Sequence, residues 1–260
     1  MVDMDFDLFV KRMKAKTDID LSQYKEAQMK RRLTTLRQKN GFHTFASYFD
    51  AIELDSKLLN EFLDRMTINV SEFWRNPGRW EAMEKKFIPE MLKSGGRIKI
   101  WSAACSTGEE PYTLAMIAAE MGAQDRTAIL ATDLDAIVLQ KASQGVYHER
   151  SVRDVPRSYL QKYFSKQDQD HYVINSQLNK SIVFKQQNLL HDSFDSGFDI
   201  IVCRNVMIYF TEEAKHLLYQ KFANALRPGG LLFVGSTEQI FTPSQYDFES
   251  AETFFYRKRS

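Results

Sequence analysis

The chain has 260 residues, 43% apolar and 27% charged, with a formal net charge of +1. This is globular composition, which excludes disordered, collagen-like and disulfide-scaffold classes. The near-neutral charge supplies no overall field that would call for nucleic acid as a partner. Two cysteines, Cys105 and Cys203, fit a reducing compartment. The acidic, interrupted N-terminus does not read as a signal peptide, and no apolar run is long enough to cross a bilayer, so the expectation is a cytoplasmic protein without membrane insertion.

Residues 1–72 read as an all-helical domain. Apolar residues recur at helical spacing in four runs: Phe6 to Met13, Met29 to Leu36, Phe45 to Ile52 and Leu58 to Met66. Asn40-Gly41 suits a helix C-terminus, and Thr44 and Asp55 sit where N-caps belong. The run NVSEFWRN (69–76) breaks the period. Asn76-Pro77 then reads as an N-cap followed by a first-turn proline, opening a helix whose apolar face is Trp80, Met83, Phe87 and Met91. Ser94-Gly95-Gly96 closes it.

From residue 97 the period changes. Strand-like runs at 97–101, 128–133, 181–187, 198–203, 231–236 and 253–259 alternate with helical runs at 109–122, 135–143 and 211–226. Alternation of this length predicts a mostly parallel sheet covered on both faces. Residues 150–180 interrupt it with a short helix near 157–164 and one or two strands around 171–175. The expected fold is therefore α/β: a Rossmann-like sheet over 73–260, with a small N-terminal all-α domain and a small β subdomain inserted at about 150–180.

In open α/β sheets, ligands bind beyond the carboxyl ends of the strands, where the strand order reverses. The first strand runs into a loop of small residues, Ser102 to Gly108, and Asp133 ends the second strand, where a carboxylate can accept ribose hydroxyls. G-x-G-x-x-G and Walker A motifs are absent. Glu109 and Glu110 at the helix start oppose a pyrophosphate and suit a ligand carrying positive charge without phosphate, and S-adenosylmethionine fits. The alternative is that both glutamates only complement the helix dipole. The five histidines show no ligand spacing, so no metal is expected.

Five blocks occur in order: NVSEFWRNP (69–77), WSAACSTGEEPYTLAM (101–116), ATDLD (131–135), QNLL (187–190) and CRNVMIYF (203–210). Together they closely resemble the chemotaxis receptor methyltransferases, the CheR family. The resemblance implies transfer of a methyl group from S-adenosylmethionine to glutamate side chains of methyl-accepting chemotaxis receptors, giving γ-methyl esters and S-adenosylhomocysteine. It implies cofactor contacts from Asn69, Ser71 and Arg75, from Glu110 at the methionine end, and from Asp133 at the ribose. It places Asn188 and Leu189 about the adenine and Cys203, Arg204 and Asn205 along a strand end. Tyr209 faces the methyl, and Arg75 and Tyr209 are the catalytic pair. Read from the residues alone, Asn188 could be a turn residue, Arg204 the partner of a structural carboxylate, Tyr209 a core ring and both cysteines buried fillers.

The segment 24–40 carries Lys25, Lys30, Arg31, Arg32, Arg37 and Lys39 against one acid, Glu26. On a helix these basic residues form two stripes, Lys25/Arg32/Lys39 and Lys30/Arg37, and are expected to bind the acidic receptor helix. A solvated helix face is the alternative. CRNVMIYF is not the D/N-P-P-Y/F-type motif of nucleic-acid amino-methyltransferases, and a small-molecule O-methyltransferase would not need the basic helix. A non-catalytic cofactor-binding signalling module is the remaining alternative. Tail-binding members of the family support their docking edge with a glycine-containing loop in the inserted subdomain. SKQDQDHYVI (165–174) has no glycine, so an intact small sheet that does not bind the receptor's C-terminal pentapeptide is expected.

Overall fold

The computed structural model describes residues 3–66, 71–93 and 95–259. They form two compact units. One comprises Met1–Ile68, Asn188–Ser193 and Val206–Gln220; the other comprises Asn69–Gln187, Phe194–Asn205 and Lys221–Ser260.

The helical unit contains α1 (Met4–Thr17), α2 (Glu26–Lys39), α3 (Phe45–Leu54) and α4 (Ser56–Met66). Local chemistry sets their ends. Thr44 accepts from the Ser47 amide at 3.1 Å and Asp55 from the Lys57 amide at 2.8 Å, each satisfying a helix-start donor. Asn40 is the C-cap of α2, and Gly41 follows with φ 80°. One cap comes from elsewhere in the chain: Asp5 of α1 accepts the Phe45 amide at 2.6 Å and the Ala46 amide at 2.9 Å at the start of α3. The apolar stripes meet around Phe9, whose ring lies 5.1 Å from Phe45, 6.1 Å from Phe49 and 6.0 Å from Phe62. Burying each such ring contributes roughly 2–3 kcal/mol.

Residues 206–220 join this unit through both backbone and rings. The Lys25 amide donates to the Tyr209 carbonyl at 2.8 Å and the Thr211 amide to the Gln23 carbonyl at 2.9 Å. The Tyr24 and Phe210 rings pack edge to face at 5.2 Å.

The other unit opens with α5 (Pro77–Ala82), a π turn at Met83–Phe87, and α6 (Ile88–Leu92). The sequence predicts one helix here, and the buried face Trp80, Met83, Phe87 and Met91 is the predicted one. The π turn lies where Pro89 would otherwise drive its ring into the Lys85 carbonyl one α-turn earlier. Then come β1 (Ile98–Ala103), α7 (Glu109–Glu120), β2 (Thr127–Asp133), α8 (Ala136–Gln144), β3 (Val146–His148), α9 (Arg157–Tyr163), β4 (Phe164–Lys166), β5 (His171–Ile174), β6 (Ile182–Gln186), β7 (Phe198–Cys203), α10 (Glu212–Ala225), β8 (Leu226–Val234), β9 (Phe248–Glu252) and β10 (Phe255–Lys258).

The main sheet has the order β6-β2-β1-β7-β8-β10-β9. The pairs from β6 to β8 are parallel, while β10 runs antiparallel to both β8 and β9. Strand order reverses between β1 and β7, so the loops after these two strands flank the switch point. β7 is buried at every residue, as a strand covered on both faces must be.

Three features differ from the sequence reading. β9 carries the polar sequence FESAE, which hides it from a hydrophobicity pattern. β8 starts at Leu226, five residues before the predicted strand; Leu226 pairs with Phe198 and a register shift absorbs Pro228-Gly229-Gly230. The small sheet, ordered β3-β5-β4, begins at Val146, ahead of residue 150. Its β4–β5 connection closes without glycine because Asp168 accepts from the amides of Asp170 (2.9 Å) and His171 (2.8 Å).

Candidate functional site

The loop after β1 reaches its shape through non-glycine residues. Ala104 (φ 63°) and Ser106 (φ 49°) are left-handed, as is Gly108 (φ 93°). Each L-residue there costs roughly 1–2 kcal/mol, so the surroundings must hold it. The Cys105 amide donates to the Thr132 carbonyl at 2.9 Å, and the Ser106 amide to Asp133 Oδ2 at 2.8 Å. Gly108 is required on steric grounds as well, because a Cβ would lie 2.8 Å from Ala142 Cβ.

Asp133 is 6% exposed. Its Oδ1 accepts the Asp135 amide at 3.0 Å, while Asp135 itself caps α8 through the Ile137 amide at 2.8 Å. Asp135 is thus the helix cap that the sequence assigns to it, while Asp133 holds two backbone amides. Burial pushes the Asp133 carboxyl up, and the amides of Asp135 and Ser106 oppose that. A carboxylate offers about four acceptor positions, so Asp133 retains capacity for a ligand hydroxyl.

Glu109 and Glu110 differ despite being adjacent. Glu109 accepts from the Thr107 hydroxyl at 2.7 Å, and burial raises its carboxyl. It lines a cleft of about 700 Å³ together with Ser71, Thr107, Tyr147, His148 and His171. Glu110 accepts from the Ser102 hydroxyl at 2.8 Å and faces Arg204 Nη1 at 3.7 Å. Burial pushes Glu110 up to about 7, against the pull of the Arg204 charge.

Arg204 follows β7. Its side chain is 5% exposed and lies over the Trp80 ring (5.3 Å) and the Phe233 ring (4.8 Å). Its Nη2 donates to the Arg75 carbonyl at 2.8 Å and to Asn76 Oδ1 at 2.9 Å, and Nε is buried without a hydrogen-bond partner among the described residues. Asn76 stands at the predicted N-cap of α5 but makes no cap hydrogen bond. Asn205 is left-handed (φ 61°) and its amide donates to Glu238 Oε2 at 2.7 Å; the same oxygen accepts the Gly235 amide at 2.8 Å. Cys203 is wholly enclosed, as is Cys105 nearly so, and burial raises both thiols. Both therefore act as buried fillers at their side chains, and Cys203 exposes no side-chain surface to a ligand.

The sheet unit thus brings together Arg75, Glu110, Arg204 and Asn205 from the predicted set, and Asp133 at the end of β2 is hydrogen-bonded to the loop after β1. Asn69 lies outside the described residues. Sequence reasoning missed Ser102, Ser106, Trp80, Phe233 and Glu238. Glu238 has no sequence signal beyond being a lone acid after a small-residue run, because its partner Asn205 is distant in the chain.

The remaining predicted residues belong to the helical unit. Asn188 forms a turn, its Oδ1 accepting the Leu190 amide at 3.0 Å, and Leu189 is buried. Arg32 lies over the Tyr209 ring at 4.9 Å. The basic segment is not uniform. Lys30 pairs with Asp3 at 2.9 Å, Arg37 with Asp5 at 3.9 Å and Lys39 with Glu61 at 2.8 Å. The Lys30/Arg37 stripe therefore faces the acids of α1 and its N-cap. Lys25 and Arg31 are exposed, with no ion pair found among the described residues.

Comparison with known proteins agrees with this architecture. Residues 4–67 match the family described as CheR methyltransferase, all-alpha domain, and residues 69–255 match CheR methyltransferase, SAM binding domain. The chain is 43% identical over 258 residues to the Chemotaxis protein methyltransferase of Listeria monocytogenes, covering 99% of this chain and 98% of that protein. It is 33% identical over 235 residues to that of Borreliella burgdorferi, covering 85% and 83%. With the Chemotaxis protein methyltransferase 1 of Pseudomonas aeruginosa it shares 32% over 248 residues, covering 91% and 90%. Among the described residues no helix is long and apolar enough to cross a membrane. The chain belongs to the CheR methyltransferase family and is an S-adenosylmethionine-dependent methyltransferase.

Proposed function

We propose that this chain is a cytoplasmic protein-glutamate O-methyltransferase that converts receptor glutamates to γ-methyl esters in chemotaxis. The observation that carries the reading is full-length similarity to chemotaxis protein methyltransferases at 43% identity. The residues at the switch point suit the cofactor. Asp133 is an enclosed acceptor with capacity for ribose hydroxyls, and Glu110 is a buried acid whose cation lies at 3.7 Å, leaving it open to an ammonium. The first turn of α7 carries two carboxylates, Glu109 and Glu110, which would repel a phosphate at that helix start.

When bound, S-adenosylmethionine supplies a methyl on a sulfonium, which an ionised carboxylate displaces in line. A glutamate with an ordinary pKa of about 4.3 is already ionised at neutral pH, so this chain need not supply a general base. Its residues have to hold and align. Arg75 positions the acceptor carboxylate by its guanidinium, and Tyr209 orients the reacting groups by its hydroxyl. Asn69, Ser71, Asn188, Leu189, Cys203, Arg204 and Asn205 complete the cofactor contacts that the family resemblance assigns. Lys25, Arg31 and Arg32 meet the acidic receptor helix. The small sheet does not hold the receptor pentapeptide, since its β4–β5 turn is built on Asp168 instead of glycine.

The decisive test is transfer of radiolabelled methyl to receptor-containing membranes, followed by mild base. Release as methanol is the expected result, because esters hydrolyse and N-methyl groups do not; base-stable label would overturn the reading. Titration of the isolated pentapeptide should show no micromolar binding.

A further inference from the structure

Arg75 sits in backbone that does not hold itself. Trp74 (φ 54°) and Asn76 (φ 64°) on either side are both left-handed, and neither is glycine. Such geometry persists only where the surroundings over-determine it. The Arg75 carbonyl accepts two donors, the Trp80 indole at 3.1 Å and Arg204 Nη2 at 2.8 Å. Asn76 occupies an N-cap position without capping, and its amide oxygen accepts from the same Nη2 at 2.9 Å. The other nitrogen, Nη1, faces Glu110 at 3.7 Å. The Trp80 and Phe233 rings fix the plane of the head. A planar fork with separate donors can meet both sides at once, and a lysine ammonium cannot reproduce it.

We propose that Arg204 is a positioning residue for methyl transfer: its guanidinium ties the Arg75 main chain to Glu110 and so fixes where the Arg75 head is presented. The inference rests on the role given to Arg75 under the proposed function. The effect of Arg204 runs through Arg75, so it shows in turnover more than in receptor affinity.

The test measures kcat, KM for receptor and S-adenosylhomocysteine affinity in wild type, R204K, R75A, R204K/R75A and N76G. R204K should lower kcat by about tenfold to a hundredfold, as a displacement near 1 Å does, with KM for receptor nearly unchanged. In the R75A background, R204K should have no further effect on kcat. N76G removes the amide oxygen while suiting the positive φ, so it folds normally. It should lower kcat a few-fold, the scale of one lost hydrogen bond, with product affinity retained. N76G also carries the test if R204K does not fold. A full multiplicative loss from R204K in the R75A background, or wild-type kcat in N76G, would overturn this inference alone. Full activity in R75A would remove the role of Arg75 and this inference with it.

Discussion

Arg37 in the helical unit and Arg204 in the sheet unit have similar settings. Arg37 lies 4.6 Å over the Phe45 ring and 3.9 Å from Asp5, with 13% of its side chain exposed. Arg204 lies 4.8 Å over Phe233 and 3.7 Å from Glu110, with 5% exposed. Their carboxylate partners differ. Asp5 already accepts two backbone amides at the start of α3, so its charge is met by fixed donors and its pair with Arg37 serves as an anchor. Glu110 receives the Ser102 hydroxyl and a long ion pair, and burial lifts it to about 7. A buried acid held this way keeps an unmet demand for positive charge, which under the proposed function the cofactor's ammonium meets. Residue type and ring contact do not separate an anchor from a binding group; the donors already committed to the carboxylate do.

The comparison can be broken most sharply at Asp133, whose carboxylate holds two fixed amides and, under the proposed function, the cofactor's ribose as well. Asp133→Ala should weaken S-adenosylhomocysteine binding by about a hundredfold or more, since hydrogen bonds to a buried charged acceptor are worth roughly 1.5–3 kcal/mol each. Calorimetry giving unchanged affinity would place Asp133 with Asp5 among the anchors.

Glu110 gives the next largest effect and one tied to pH. An ammonium binds the ionised carboxylate, so product affinity should rise with pH from 6 to 7, by up to about tenfold per unit, and level off above. Glu110→Gln should bind more weakly and lose this rise. The stability sign is opposite to that of most acids. The folded-state value near 7 lies above the ordinary 4.5, so the folded chain holds the extra proton between them. The contribution of Glu110 to stability is therefore greatest below 4.5 and is lost as pH rises through 7. Thermal unfolding between pH 5 and 8 should show this decline in wild type and not in E110Q.

The smallest effects sharpen the comparison within α2. Lys25→Glu with Arg31→Glu, which reverses two exposed charges, should raise KM for receptor about tenfold in low salt, with less effect at high salt. Melting temperature should stay near wild type. Arg37→Glu should do the reverse: a loss of about 1 kcal/mol in stability from charge repulsion at Asp5, with KM little changed. If the two variants exchange phenotypes, the division of the basic segment into anchors and contact residues is wrong.

Much of this was legible in the residues because it is local. The caps at Thr44, Asp55 and Asp135 and the change of period at residue 97 all follow from near neighbours. What stayed hidden depends on chain segments meeting. Glu238 gains its role from Asn205, and the Lys30/Arg37 stripe is neutralised by Asp3 and Asp5, which no helical period reports. The left-handed loop at Ala104 and Ser106 was hidden for another reason. Glycine is the usual mark of such a loop, and here backbone bonds to Thr132 and Asp133 take its place.

Residues 206–220 have a consequence for engineering. They lie far along the chain from the first helices, yet Tyr209, Phe210 and Thr211 are joined to residues 23–25 by backbone hydrogen bonds and an edge-to-face ring pair. Helices transplanted between relatives by exchanging residues 1–68 alone would part these contacts and leave the Phe210 ring uncovered. Chimeras that carry 206–220 along with the donor's helices should express and fold, and those cut at the apparent linear boundary should not.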